Sequence, residues 1–324
     1  MKKIISLLLA ILMVVSMAAC GAEEAEEPVS ATEEQESKAA EETVAEETVE
    51  EKASEDAEEV EPEAEAPAEE AATIDFEEIT VVDNEFCTIK ITGLDPKNEW
   101  GYTLNAYLEN KSADKTYLYS VTSASVNGVA CDPTFAAEIS PGKKANEKIN
   151  LLDLTLEENG IVEYTDIELT FTVYDSDDWF ADPVAKETIH VYPLGEDKAE
   201  TFVREPQEAD VVLVDDESIT VIVTGYTEDD FWGYVVNLYL VNKTESTLII
   251  SADNVSVNGF MADPLYGCSL PGGKCAFSTM SWTDTALEEN GISAVEEIEF
   301  TLSVYDENSW EECFNETLTL TPGA

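Results

Sequence analysis

The chain has 324 residues, with 71 Asp and Glu against 16 Lys and Arg, and a formal net charge of -55. So anionic a surface argues against nucleic acid, whose affinity comes mainly from Lys and Arg on phosphates. It argues equally against charge-driven binding to anionic lipid head groups or wall polymers, leaves a cationic partner open, and helps keep an exported protein soluble.

Lys2 and Lys3 precede an apolar run from Ile4 to Met17. A positive start followed by a short apolar run reads as a targeting signal. The run falls short of the ~20 apolar residues that a spanning helix needs. It ends in Met17-Ala18-Ala19-Cys20-Gly21, with the small residues a signal peptidase requires. This ending resembles the lipobox of bacterial lipoproteins, with Met17 where Leu is usual. The resemblance implies that residues 1–19 are a cleaved signal and that Cys20, carrying a thioether-linked diacylglycerol, is the mature N-terminus. The chain would then be lipid-anchored on the extracellular face of the cell membrane. Two acyl chains hold stably where one is marginal.

Residues 20–72 begin with that Cys and continue as a low-complexity stretch. Residues 22–72 hold 22 Asp and Glu and 2 Lys, hence -20, with no aromatic residue and no Gly. Such a composition cannot bury enough apolar surface to offset its ordering entropy. Adjacent Glu pairs repel, and Pro28, Pro62 and Pro67 interrupt any helix. The expectation is a disordered, self-repelling tether. Its greatest reach is about 170 Å at ~3.3 Å per residue.

After Thr73 aromatic residues appear, and so does an internal repeat. Trp100-Gly101-Tyr102 recurs as Trp232-Gly233-Tyr234, and Ser125-Val126-Asn127-Gly128 as Ser256-Val257-Asn258-Gly259. The segments Leu156–Ile161 and Val173–Asp175 recur as Leu287–Ile292 and Val304–Asp306. This is a tandem duplication of a domain-sized unit, predicted at 73–195 and 208–322 with a linker over 196–207. Each unit reads as antiparallel β. Trp100, Tyr102, Leu104, Ala106 and Leu108 alternate with polar residues, and so do Ile167, Leu169, Phe171 and Val173. One buried and one solvated face marks a sandwich layer. Seven or eight such runs per unit predict a β-sandwich. The Asn-Gly pairs predict hairpin turns. Thr155 through Gly160 predicts one capped helical turn where the chain crosses between sheets. These motifs resemble the immunoglobulin-like domains of clostridial and related Gram-positive lipoproteins. The resemblance implies two tandem Ig-like sandwiches displayed outside the cell and brings no assigned chemistry.

Candidate chemistry is sparse. His190, the one His, sits in a predicted strand with no counterpart in the second unit, and reads as a surface residue. Cys268 and Cys275 flank a predicted turn, Ser269 to Lys274, and form a candidate disulfide in an oxidising compartment. Cys87–Cys131 is a less constrained pair, and Cys313 is expected to be free. The acidic turns Asp83-Asn84-Glu85, Asp215-Asp216-Glu217 and Asp175–Asp178 match no EF-hand spacing, and acidity alone accounts for them. Trp179 and Trp310 each follow an acidic turn and are candidate ligand-facing aromatics, set against packing over the sandwich end. Trp100 and Trp232 read as core. No catalytic, metal or cofactor site stands out.

The expectation is therefore a non-enzymatic binding or spacer lipoprotein that meets an envelope protein or a glycan. An accessory or solute-capturing lipoprotein of a transport system is the alternative. A glycoside hydrolase, which needs a carboxylate pair, ranks third.

Overall fold

The computed structural model describes residues 76–132, 135–151, 154–178 and 180–322, all within one compact unit. The signal, Cys20, the acidic tether and Trp179 lie outside the described residues. The described chain is all-β, with several sheets.

The first half runs β1 (Ile79–Asp83), β2 (Cys87–Asp95), β3 (Tyr102–Asn110), β4 (Tyr117–Val126), β5 (Val129–Cys131), β6 (Ala136–Ile139) and β7 (Lys144–Leu151). A short helix α1 (Leu154–Glu158) then leads to β8 (Ile167–Asp175) and β9 (Ala185–Val191). The second half repeats the order as β10 (Val211–Asp215), β11 (Ile219–Asp229), β12 (Gly233–Asn242), β13 (Leu248–Val257), β14 (Phe260–Met261), β15 (Cys268–Leu270) and β16 (Cys275–Trp282). Helix α2 (Asp284–Glu289), β17 (Ile298–Asp306) and β18 (Glu312–Leu320) complete it.

One sheet of the first half has the order β1-β2-β3-β7; the other contains β5-β4-β8-β9, with β6 also on β4. The second half has β10-β11-β12-β16 and β14-β13-β17-β18, with β15 also on β13. Alternation decides what each sheet buries. Leu104 and Leu108 from one sheet meet Ile167, Leu169 and Phe171 from the other, all at most 1% exposed. Val236, Leu240 and Met280 do the same against Ile250, Ile298 and Val304, all fully buried. Two facing sheets around each core are consistent with a β-sandwich. Each such side chain contributes about 1.5–3 kcal/mol on burial. As predicted, α1 and α2 stand where the chain crosses from one sheet to the other. The expected cap at Thr155 is displaced: α1 begins at Leu154, and in α2 the cap is Thr283, whose hydroxyl accepts the Ala286 N–H.

The repeated motifs are framework. Asn110 and Asn242 are 1% exposed. The Asn110 amide donates to the carbonyls of Lys115 (2.8 Å) and Ile139 (2.7 Å), and the Asn242 amide donates to those of Ser246 and Leu270 (2.8 Å each). Asn127 and Asn258, both at φ 52°, open the predicted hairpin turns with Gly at φ 82° and 80°. Each Asn also stitches the strand that follows the helix: Asn127 Oδ1 accepts the N–H of Thr165 and Asp166, and Asn258 Oδ1 those of Glu296 and Glu297.

Trp100 and Trp232 are not core; they are 56% and 45% exposed. Alternation stops at the next residue, since Gly101 and Gly233 take φ 93° and 69°. A Cβ on Gly233 would also collide with the Trp282 carbonyl. The tryptophan of the second core is Trp282, 1% exposed, its indole N–H donating to the Ala262 carbonyl at 2.8 Å.

The halves share a sheet. The outer edge of β16 pairs in parallel with β5 at Cys275–Val129, and the Cys275 N–H donates to the Gly128 carbonyl at 3.1 Å. The result is one nine-stranded sheet. Residues 199–207 bridge the halves. Phe202 N–H donates to the Asn127 carbonyl (2.7 Å), and the Phe202 ring meets Phe277 edge-on at 5.8 Å. Arg204 makes a two-pronged pair with Asp210 (2.7 Å each) and lies 5.5 Å from the Tyr239 ring centre. Lys274 joins Glu168 across the junction at 2.7 Å. The turn end of the first half thus meets the opposite end of the second, where β16 begins beside the end of β12. The second half's own Asn-Gly turn lies at the far end of its strands from this junction.

Candidate functional site

Of the sequence-predicted site residues, Cys20 and Trp179 lie outside the described residues. Trp310 stands on the β17–β18 turn at φ 56°, 70% exposed, its N–H donating to the Asp306 carbonyl at 2.9 Å. It sits at the junction end of the second half, away from the Asn-Gly turn.

Cys268 and Cys275 are not brought together as a bridged hairpin. Cys268 pairs with Ile250 in one sheet and Cys275 with Val241 in the other, so the turn between them carries the chain from sheet to sheet. Cys87, Cys268, Cys275 and Cys313 are free thiols. Burial pushes the Cys87 and Cys268 thiols up to about 11, which keeps them protonated and slow to exchange. Cys87 and Cys131 also sit in different sheets, toward opposite ends of the first half.

The acidic turns hold themselves. Asp83 accepts from Lys111 and Thr88, and Asp215 from Lys243 and Thr220; the lysine hydrogen bond is the main reason both carboxyls fall below the usual carboxylate range. Asp306 Oδ1 accepts the N–H groups of Asn308 and Ser309. His190 is on β9 as read, but it belongs to the junction. Its Nδ1 is 2.8 Å from Asp166 and its Nε2 is 3.2 Å from Glu168, the carboxylate that also receives Lys274.

The site that sequence reasoning missed is at the far end of the second half. An open cleft of about 920 Å³ lies between the β11–β12 turn and the segment that runs through α2 toward β17. Tyr234 lines it together with Leu287, Ile292 and Val295. The Tyr226 ring lies 6.2 Å from that of Tyr234, and Trp282 lies 6.5 Å from it on the core side. Burial pushes the Tyr234 phenol up to about 12, so the ring stays neutral. Glu228, Asp229 and Asp230 line the turn side, and Asp284 and Glu288 the helix side. Asp229 is structural: its Oδ1 accepts the N–H groups of Phe231 and Trp232 at 2.8 Å each, and these bonds lower its carboxyl. Among the described residues no ion pair engages the other four carboxylates. Phe231 and Trp232 pack edge to face at 4.8 Å on the same turn, and Phe231 is 73% exposed. Neutral rings beside unpaired carboxylates suit recognition of a positively charged group.

No family model matches the chain, and no curated protein matches it. Among solved structures, a crystal structure of a protein of unknown function from Porphyromonas gingivalis W83 is similar at 10% identity over 70% of this chain and 92% of that one. Its TM-score is 0.20, too low to bear on the fold or the function.

Proposed function

We propose that this protein is a non-enzymatic extracellular binding protein, held to the cell membrane by a lipid on Cys20. In this reading two Ig-like domains, 73–195 and 208–322, stand on the acidic tether 20–72. The observation that carries it is the head-to-tail junction. It joins both halves through one sheet and, among the described residues, leaves the far end of the second half uncovered, with its cleft open. Two halves fixed to one another hold that open cleft in one orientation, which suits binding. The lipobox-like Met17–Gly21 and the charge of the tether support the address.

Growth with an alkyne analogue of palmitate tests the anchor. The wild-type chain should take up the label and be digested by protease added to intact cells, and Cys20→Ala should take up none. Equal labelling of both chains, or protection of the wild type from external protease, would contradict the reading.

A further inference from the structure

We infer that the cleft of the second half binds an ammonium or guanidinium group carried on an aromatic or apolar body. The inference deepens the binding reading above and rests on it.

The first half shows what the cleft is missing. The matched segments Leu156–Ile161 and Leu287–Ile292 place Tyr164 opposite Val295, and the WGY motif places Tyr102 opposite Tyr234. In the first half the Tyr164 ring stacks on Tyr102, with centroids 4.9 Å apart and planes 26° apart. In the second half Val295 is too short to do this, and Tyr234 lines open space. The same scaffold therefore accepts a flat apolar group at this position, supplied by the chain in one copy and absent in the other.

The turn above the ring changes in step. Pro96-Lys97-Asn98 in the first half corresponds to Glu228-Asp229-Asp230 in the second. A turn of net charge -1 (Asp95 to Glu99) over a self-filled site becomes one of -3 (Thr227 to Phe231) over an open one. Asp229 is committed to holding the turn, while Glu228, Asp230, Asp284 and Glu288 remain to meet a cation. A cation beside a tyrosine face is stabilised by the ring as well as by the carboxylates. The strongly negative chain also raises the local concentration of cations.

A second copy of the chain does not fit this end. The face that docks in the native junction presents Ile222, Tyr239, Val241 and Phe277. The first half carries Lys90, Tyr107, Glu109 and Asn146 at those places. Ion pairs Lys90–Glu78, Lys111–Asp83 and Lys144–Glu109 cover that face. Burying it against Phe260 and Met261 would strip those charges of water without new partners.

The test is isothermal titration calorimetry on the full-length protein in a non-ionic detergent. Phenethylamine probes a free amine, and the N-acetylated peptide Arg-Phe-Arg-Phe probes a side-chain cation. 2-Phenylethanol and N-acetylated Glu-Phe-Glu-Phe are the controls, neither of which carries a cation. Saturable binding of either cationic probe, without binding of its control, supports the inference and shows which source the site accepts. Val295→Tyr, which supplies the first half's ring, should weaken that binding by at least about tenfold through loss of the stacking and cation contacts. Should Val295→Tyr fold poorly, the Asp230→Asn/Glu288→Gln pair, both exposed, should weaken it severalfold and flatten its salt dependence. Saturation by neither cation, equal binding of the controls, or unchanged binding in a folded variant overturns the inference. A concentration-dependent dimer that closes the cleft would assign it to self-association and overturn it as well. Failure here would leave palmitate labelling and protease access untouched, so the two readings fail separately.

Discussion

Val129 and Phe260 follow the same Asn-Gly turn in the two halves, with backbone angles within a few degrees of each other. Val129 is fully buried and Phe260 is 52% exposed. The difference lies in the neighbours. Beside Val129 the edge of β16 arrives to extend the sheet, whereas β14 is the end of its own sheet. The cleft residues carry the same lesson, since Tyr164 closes in one half what Val295 leaves open in the other. Duplication kept the framework and changed what the ends meet.

The framework half of this comparison is the easiest to break. Trp282→Ala should cost about 3–5 kcal/mol, because the ring is buried and its indole has a partner. Denaturant unfolding followed by circular dichroism would show it, and a loss below about 1 kcal/mol would remove Trp282 from the core. Asn110→Ala and Asn242→Ala should each cost about 1–3 kcal/mol, since each strands one buried carbonyl, of Ile139 or Leu270, and one part-buried carbonyl. The two losses should agree within about 1 kcal/mol if the halves are truly equivalent there.

The junction half of the comparison is electrostatic, and its effects are smaller. The Arg204 guanidinium holds Asp210 at about 2, against an ordinary 3.8. A carboxyl lowered on folding adds stability at pH values above its ordinary range and loses it as pH falls. The pair should therefore contribute at most about 2 kcal/mol above pH 4, declining as pH falls through about 2. Arg204→Ala should remove that part of the acid dependence, and an unchanged acid-unfolding curve would deny the pair its role. Lys274→Ala should cost about 1 kcal/mol or less at low salt and nearly nothing at high salt, measured as a shift in Tm.

Much of the framework was legible because strands bury one face at period two. Leu104, Leu108, Ile167 and Phe171 sit where alternation puts them, and the Asn-Gly turns follow from the positive φ that such hairpins need. Trp100 and Trp232 were misread because the alternation was carried past the strand, although the glycine after each one marks the break. The Cys268–Cys275 turn reads locally like a hairpin. Only the pairing of its flanks with β13 and β12 shows it to be a corner between sheets. The cleft was half legible. The change from Tyr164 to Val295 can be read in the repeat, but its meaning depends on Tyr164 reaching back to stack on Tyr102, a contact 62 residues apart in sequence. His190 was placed correctly on a strand, yet nothing local to it announces Lys274 across the junction.

The central claim is that matched positions in the two halves differ because one is sealed by the other half. Cys275 and Lys144 open the matched strands β16 and β7, the first joined to β5 and the second at a sheet edge. Amide hydrogen exchange at these two residues tests the claim most directly. The account predicts slow exchange at Cys275, approaching that of the core strands, and fast exchange at Lys144. Equal protection at the two amides, or rapid exchange at Cys275, would contradict it.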